Sequence, residues 1–553
     1  MHSINIKMMT KKALILITIL CIALSAVNAQ QRSFSAMKRI AQEKLASDDV
    51  NLLENRDGLC VYGNERGFVI VNRLGMGDAV IGYSQTPYDK NRLPDGLKWW
   101  MKVAESSLQS LDNTAASVTA RAGYTVVEPF VTTTWNQEKP YYYECPKSGN
   151  DYCPTGCVAT TLAQVLNYYQ YPATSEGTGS YFFKGKEVEK TINTTYDWAN
   201  MKNSYKTTEL RFSAPVKAVT DLMRDCGYAT HMTYTLEGSG TADYYMALAL
   251  KNVFRYDSLA LRYYDRSFYS DEEWKSLVYG ALAQKMPVMF GGYDEEASYG
   301  HEFLLCGIDK DGLVYVNWGW GGDGDGYFDL DVLKINKDND FRYSQSIVLG
   351  TKPQQTPDGT DRFESMCVAD SIDYEVNDRN ILQMKMYSLY NYSILDFNGT
   401  IDLALQDKSN PQNMAYVSLL NTRDKGYGSL PPFYGFIFTD ENDELLPILV
   451  DGLKDLAPGI YRMFLTNKEE RDSERQAVRT EGGVQYATLK KLADGTLLVS
   501  NEDVDDIETG IQTVRMSPEA EPDTKVYDLS GRQHRSAMRR NIYVIGGKKV
   551  LSK

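Results

Sequence analysis

A change of pattern at Pro353-Gln354-Gln355-Thr356-Pro357-Asp358-Gly359 divides this chain of 553 residues. Before it, helical and strand-like periodicities are mixed. After it, only short strand-like runs remain, separated by turns. A stretch punctuated by proline and glycine reads as a linker. The total length exceeds one ordinary core, so about three or four modules are expected.

The N-terminus reads as a signal peptide over residues 1–29. Lys11 and Lys12 precede the apolar run 13–20, and Val27-Asn28-Ala29 offers a small-residue cleavage site. A membrane anchor is the alternative, but the run is short and Gln30-Gln31-Arg32 is polar. Ile19-Leu20 before Cys21 lacks the small residue that lipoprotein processing favours. Hydrophobic content of 43% is globular, and a net charge of −14 argues against a nucleic-acid partner. The expectation is a secreted or cell-surface protein.

Residues 30–122 read as an α+β module. Phe34, Met37, Ile40, Ala41 and Leu45 recur at helical spacing; strand-like runs follow at 59–62, 67–71 and 79–83; Leu93-Pro94-Asp95-Gly96 then introduces a helix with Trp99, Trp100 and Met101. The small, polar segment 112–123 suits a protease cut. Residues 123–352 form a second α+β module: a helix from Cys157, ended by Pro172, precedes strands near 286–290, 301–306 and 313–317. Residues 360–505 read as a β-sandwich, with a hairpin turn at Ala493-Asp494-Gly495, and 510–553 as a small β tail.

Histidine is scarce: only His2, His231, His301 and His534 occur. The first lies in the signal and the last in the tail, so two are available to an enzyme core. A thiol attacks well only as thiolate, and its ordinary pKa is about 8.5. The first turn of a helix lowers it through unpaired N–H groups and the dipole, and an imidazole can take the proton. Cys157, after Pro154-Thr155-Gly156, has the first of these; His301, in Gly300-His301-Glu302-Phe303, supplies the second if the fold brings it close. His231 is the rival base. A buried structural thiol and a core histidine are the plain alternatives. Of the eight cysteines, Cys145 and Cys153 are able to pair, though connectivity is not readable. Asp323, Asp325, Asp329 and Asp331 lack the glutamate of a calcium loop, so no metal and no cofactor is expected.

Thr155-Gly156-Cys157-Val158-Ala159-Thr160 and Gly300-His301-Glu302-Phe303, followed by Val316-Asn317-Trp318-Gly319-Trp320-Gly321-Gly322 and Asp325-Gly326-Tyr327-Phe328, resemble the streptopain family of secreted bacterial cysteine peptidases, of the interpain type. Gly67-Phe68-Val69-Ile70-Val71, Ile81-Gly82-Tyr83 and Leu93-Pro94-Asp95-Gly96-Leu97 resemble its prodomain. The resemblance implies a papain-like two-lobed fold and a self-processing zymogen. Its own prodomain would inhibit it by filling the cleft or displacing His301. It further implies Cys157 as nucleophile, His301 as base and then acid, and Gln137 with the Cys157 N–H as oxyanion donors. Either Asn317 or the Trp318 ring would orient His301, and Trp320 would shield the pair. Glu237-Gly238-Ser239-Gly240-Thr241 is similar to the family's loop beside the cleft, which puts Ser239 and Gly240 against a peptide substrate. The family prefers an apolar side chain two positions before the cut. Val526-Tyr527-Asp528-Leu529-Ser530-Gly531-Arg532 and Ile542-Tyr543-Val544-Ile545-Gly546-Gly547-Lys548 resemble sorting tails of the type IX secretion route, which implies secretion machinery as a partner. Two other functions stay open: a non-catalytic adhesion protein using the β-sandwich, and a thiol amidase or transpeptidase.

Overall fold

A computed structural model describes residues 31–75, 77–110, 124–294, 299–333, 344–353, 364–423 and 428–507, and four short strands of the tail. The signal-like segment, the whole of the proposed cut region 112–123 and most of the tail lie outside the described residues.

The first module is built on helix α1, Phe34–Leu45, and strands β1 Asn51–Asn55, β2 Leu59–Asn64, β3 Gly67–Asn72 and β4 Val80–Ser84. Ser33 caps α1, its Oγ accepting from the Ala36 N–H. All six residues of β3 are buried because both faces are covered. Phe68 and Ile70 join the large central core, while Val69 and Val71 meet Met37 and Ala41 of α1. Helix α2, Asp95–Ser110, follows and buries Trp99, Trp100, Met101, Ala104 and Leu108.

Helix α3, Cys157–Tyr169, opens the second module. It packs with α4, Ala214–Ala229, and α5, Tyr244–Asn252, in a separate core containing Leu162, Leu166, Leu222 and Leu250. The other lobe carries β5 Arg262–Asp265, helix α6 Asp271–Ala283, β6 Val288–Asp294, β7 Tyr299–Ile308, β8 Val314–Asn317, β9 Gly326–Phe328 and β10 Gln345–Leu349. A complete capping box at Ser270 and Glu273 starts α6. Strand β7 separates the two cores: Phe303 and Leu305 face one, Leu304 and Cys306 the other. This is a two-lobed α+β architecture.

The two modules share one sheet. Its strand order is β1-β2-β3-β4-β9-β8-β7-β6-β10-β5. The join is β4 against β9, antiparallel, with Tyr83 opposite Tyr327 and Gly82 opposite Phe328. The Tyr83 and Tyr327 rings stack at 5.2 Å. Lys44, in the last turn of α1, stands 3.1 Å from the Asp311 carboxylate. The first module thus hides what is otherwise an edge strand, and the sequence reading of it as a self-contained unit misses this continuity.

Beyond the linker, strands between Cys367 and Ser500 form sheets of three, three and six strands over a core that includes Met384, Leu389, Leu403, Met463 and Leu489. Arg479 ties this region to α6, bonding the Phe268 carbonyl at 3.0 Å and the Glu273 carboxylate at 2.6 Å. In the tail, Val526–Asp528, Gln533–His534, Ile542–Ile545 and Lys548–Leu551 form a four-stranded sheet.

Candidate active site

Cys157 is the first residue of α3. Gly156 before it has φ of +88°, a conformation that L side chains rarely adopt, and no side chain caps the helix start. A Cβ on Gly156 would also stand 2.9 Å from both the Met232 sulfur and the Ser239 carbonyl. The glycine therefore lets the helix start press against the Ser239 strand.

The cleft beside it measures about 1200 Å³ and is lined by Gln137, Cys157, Ser239, Gly240, His301 and Trp320, among others. These six are sequence candidates from five separate stretches of chain. Gln137 is held by its neighbours: its carbonyl accepts from the Thr155 N–H at 2.9 Å, and its own N–H donates to Asn136 Oδ1 at 2.6 Å. Ser239 and Gly240 pair with Tyr234 and Thr233 to form the short wall strand.

Asn317 and Trp318 are not among the lining residues. The Asn317 amide donates to the Thr133 carbonyl at 2.6 Å and to Gln164 at 3.0 Å, and its oxygen accepts from the Gly319 N–H at 3.0 Å. It braces α3 against the strand that ends in the Trp318-Gly319 turn. The Trp318 indole donates to the Gly324 carbonyl at 3.0 Å and packs against Phe303 and Phe328. His231, the rival base, bonds Ser180 Oγ through Nδ1 at 2.7 Å and lies against Tyr245, outside the lining of the cleft.

The two candidate reacting groups, Cys157 and His301, stand in electrostatic surroundings that the sequence does not foretell. Burial pushes the Cys157 thiol up to about 11; the Glu302 backbone N–H draws it down, and the Glu302 carboxyl opposes ionisation. The sequence reading has the thiol lowered by the helix start and the imidazole, whereas here desolvation dominates and Glu302 is the neighbouring charge. Burial brings the His301 imidazole down to about 4, against the pull of Asp95 and with the help of Lys98. Both groups are neutral at pH 7.

The cause is strand alternation together with α2. His301 lies in β7 two residues before Phe303, on the face that α2 covers, and Glu302 on the face toward α3. Asp95 and Lys98 of α2 reach the cleft and pair with each other at 2.8 Å. Trp99 covers Gly292, the cross-strand partner of His301. None of Asp95, Lys98, Trp99 or Glu302 stands out as a site residue in the sequence. The Glu302 position beside His301 was a usable signal, since a charged residue in an otherwise apolar strand needs a reason.

All seven described cysteines are free, so Cys145 and Cys153 form no disulfide, although both are buried in the α3 lobe.

The Peptidase C10 family matches residues 135–328. Thiol protease/hemagglutinin PrtT of Porphyromonas gingivalis is 30% identical over 321 residues, 53% of this chain and 36% of that protein. Streptopain of Streptococcus pyogenes is 30% identical over 365 residues, 60% of this chain and 90% of that protein. The chain thus spans about a third of the first relative and nearly all of the second. A solved prointerpain A fragment of Prevotella intermedia aligns with a TM-score of 0.50 and 31% identity, covering 56% of this chain and 99% of the fragment.

Proposed function

Since this chain belongs to the Peptidase C10 family of cysteine peptidases, we propose that it is the precursor of an endopeptidase that uses Cys157 and His301 and removes its own residues 30–122. The observation that carries this reading is the single cleft lined by Cys157, His301, Gln137 and Trp320.

The precursor state follows from the same geometry. With α2 in place, the imidazole is half-buried on the α2 face and the thiol keeps its proton. Removal of α2 uncovers His301, which already lines the cleft, and frees it to approach Cys157 and accept the proton from sulfur; the ion pair stabilises the thiolate. The thiolate attacks the carbonyl carbon of the scissile amide. The oxyanion that forms takes hydrogen bonds from the Cys157 N–H and the Gln137 side-chain amide. His301 then gives its proton to the leaving amine, and water hydrolyses the thioester with His301 as base. Trp320 shields the pair from bulk water. Asn317 acts at a distance, by holding the turn that carries Trp318 and Trp320.

Export is part of the proposal. The basic-then-apolar start and the small-residue site at 27–29 support passage through the inner membrane, and the tail motif supports onward sorting to the surface.

The test is Cys157→Ala. The purified variant is expected to persist as an unprocessed precursor that cleaves no peptide. Unaided maturation of that variant at the normal rate overturns the assignment.

A further inference from the structure

Three adjacent strands place Ser346, Gly291 and Glu302 in one row. Gly291 of β6 pairs with Glu302 of β7 on one side and with Ser346 of β10 on the other. Residues directly opposite across antiparallel strands project to the same face. That face is the one toward α3 and Cys157. The middle member of the row has no side chain, so the side chains of its two neighbours close over its backbone.

Three oxygens converge over Gly291. The point where a Gly291 Cβ would stand is 2.6 Å from Ser346 Oγ, 2.9 Å from Asp243 Oδ2 and 2.9 Å from Glu302 Oε2. The oxygens are therefore about 6 Å apart at most. Asp243, at the start of α5, also accepts from the Tyr263 hydroxyl at 3.3 Å and from the Ser346 hydroxyl. Glu302 differs: it is 3% exposed, and its Oε1 is buried with no hydrogen-bond partner among the described residues. Gly291, Ser346, Asp243, Glu302, Tyr263 and Asp265 all line the same cleft as Cys157.

A buried carboxylate without a partner is expensive. Here a second carboxylate lies beside it and a third, Asp265, close by. Burial pushes all three upward, and the Asp243 charge adds to the effect on Glu302. No described group of three or more such side chains has the arrangement to hold a metal ion. Two carboxyl groups and a hydroxyl on one cleft wall suit an organic cation with several N–H donors.

We propose that Glu302, Asp243 and Ser346 form a subsite for a basic side chain, arginine or lysine, of the peptide substrate. This rests on the peptidase reading and departs from the apolar preference that family resemblance implies. The guanidinium or ammonium would donate to the Glu302 and Asp243 carboxyl oxygens, with its stem lying in the cleft of about 1200 Å³ that these residues line.

The test uses the self-processed enzyme made from the full chain. Fluorogenic peptides carry Arg, its neutral isostere citrulline, Lys, norleucine or Leu, scanned through three positions on each side of the cut. At one position Arg is expected to exceed citrulline, and Lys to exceed norleucine, at least tenfold in kcat/KM. In Glu302→Gln the Arg-to-citrulline ratio is expected to fall toward one. Equal turnover of the charged and neutral peptides at every position by the unmodified enzyme overturns the subsite while leaving the peptidase reading intact. A wild-type preference that survives Glu302→Gln and Glu302→Ala unchanged also overturns it. If no peptide is cut and a thiol-reactive peptide fails to label Cys157, the peptidase reading falls and takes the subsite with it.

Discussion

The Trp99 indole lies over the bare backbone of Gly292, where a Cβ would stand 2.4 Å from the ring. Gly292 is the cross-strand partner of His301, so the indole occupies the face on which the imidazole sits. The precursor is therefore held mainly by apolar burial. Trp99 also packs on Phe303 at 6.0 Å, and Trp100 on Phe328 at 5.1 Å. Buried aromatic rings of this size each remove on the order of 200 Å² from water, about 5 kcal/mol.

Trp99→Ala is expected to loosen this contact by about 3–5 kcal/mol. Urea unfolding of the Cys157→Ala precursor reads the loss of stability. In the catalytically intact chain the same change is expected to speed maturation at least tenfold. A destabilised precursor that matures at the original rate would show that α2 is not what restrains the site.

Thiol reactivity tests the ionisation of Cys157. With its thiol held up to about 11, the precursor carries little thiolate at pH 7. Alkylation of Cys157 by iodoacetamide is expected to accelerate about tenfold per pH unit from 7 toward 11. In the mature enzyme, with His301 beside the sulfur, alkylation is expected to be fast already at neutral pH. A precursor with a pH-independent rate above 7 contradicts the buried neutral thiol.

His301 makes the stability of the precursor depend on acid. Its folded-state value lies near 4, below the unfolded value of about 6.5. Between these values the unfolded chain binds more protons than the folded one, so stability rises with pH. The contribution is fully present above 6.5 and is lost as pH falls through 4, about 3 kcal/mol in all. In a Cys157→Ala background, unfolding curves from pH 4 to 7 are expected to be flatter for His301→Gln than for His301. Identical slopes would place the imidazole in water.

The two histidines separate cleanly by substitution. His301→Ala is expected to lower kcat/KM by at least about 1000-fold, in line with the loss of a general base. His231→Ala, whose ring bonds Ser180 away from the cleft lining, is expected to stay within about twofold. A peptide assay on separately matured variants decides it, and the reverse ranking assigns the base to His231.

Much of the local architecture was legible in the chain. Apolar spacing from Phe34 to Leu45 marks α1, and the structure has that helix. Gly156 and Pro172 bracket α3, which runs from Cys157 to Tyr169. The runs at 301–306 and 313–317 lie in β7 and β8. The candidates Gln137, Cys157, Ser239, Gly240, His301 and Trp320 all line one cleft, and all but Gln137 lie at an element end or beside a glycine, where short-range signals are strongest.

The pairing of Tyr83 with Tyr327 was not legible, because a strand records its own period and not its distant partner. Nor was the difference between His301 and Glu302. Neighbours on a strand face opposite ways, and only packing puts α2 over one and the helix of Cys157 against the other.

Sequence alone determined where this chain turns helical or extended and which thiol and imidazole are available, since those depend on neighbours a few residues away. Tertiary structure decided that α2 covers the imidazole, that the thiol stays protonated and that Glu302 enters the cleft. These outcomes depend on desolvation, which exists only once distant segments have closed around a group.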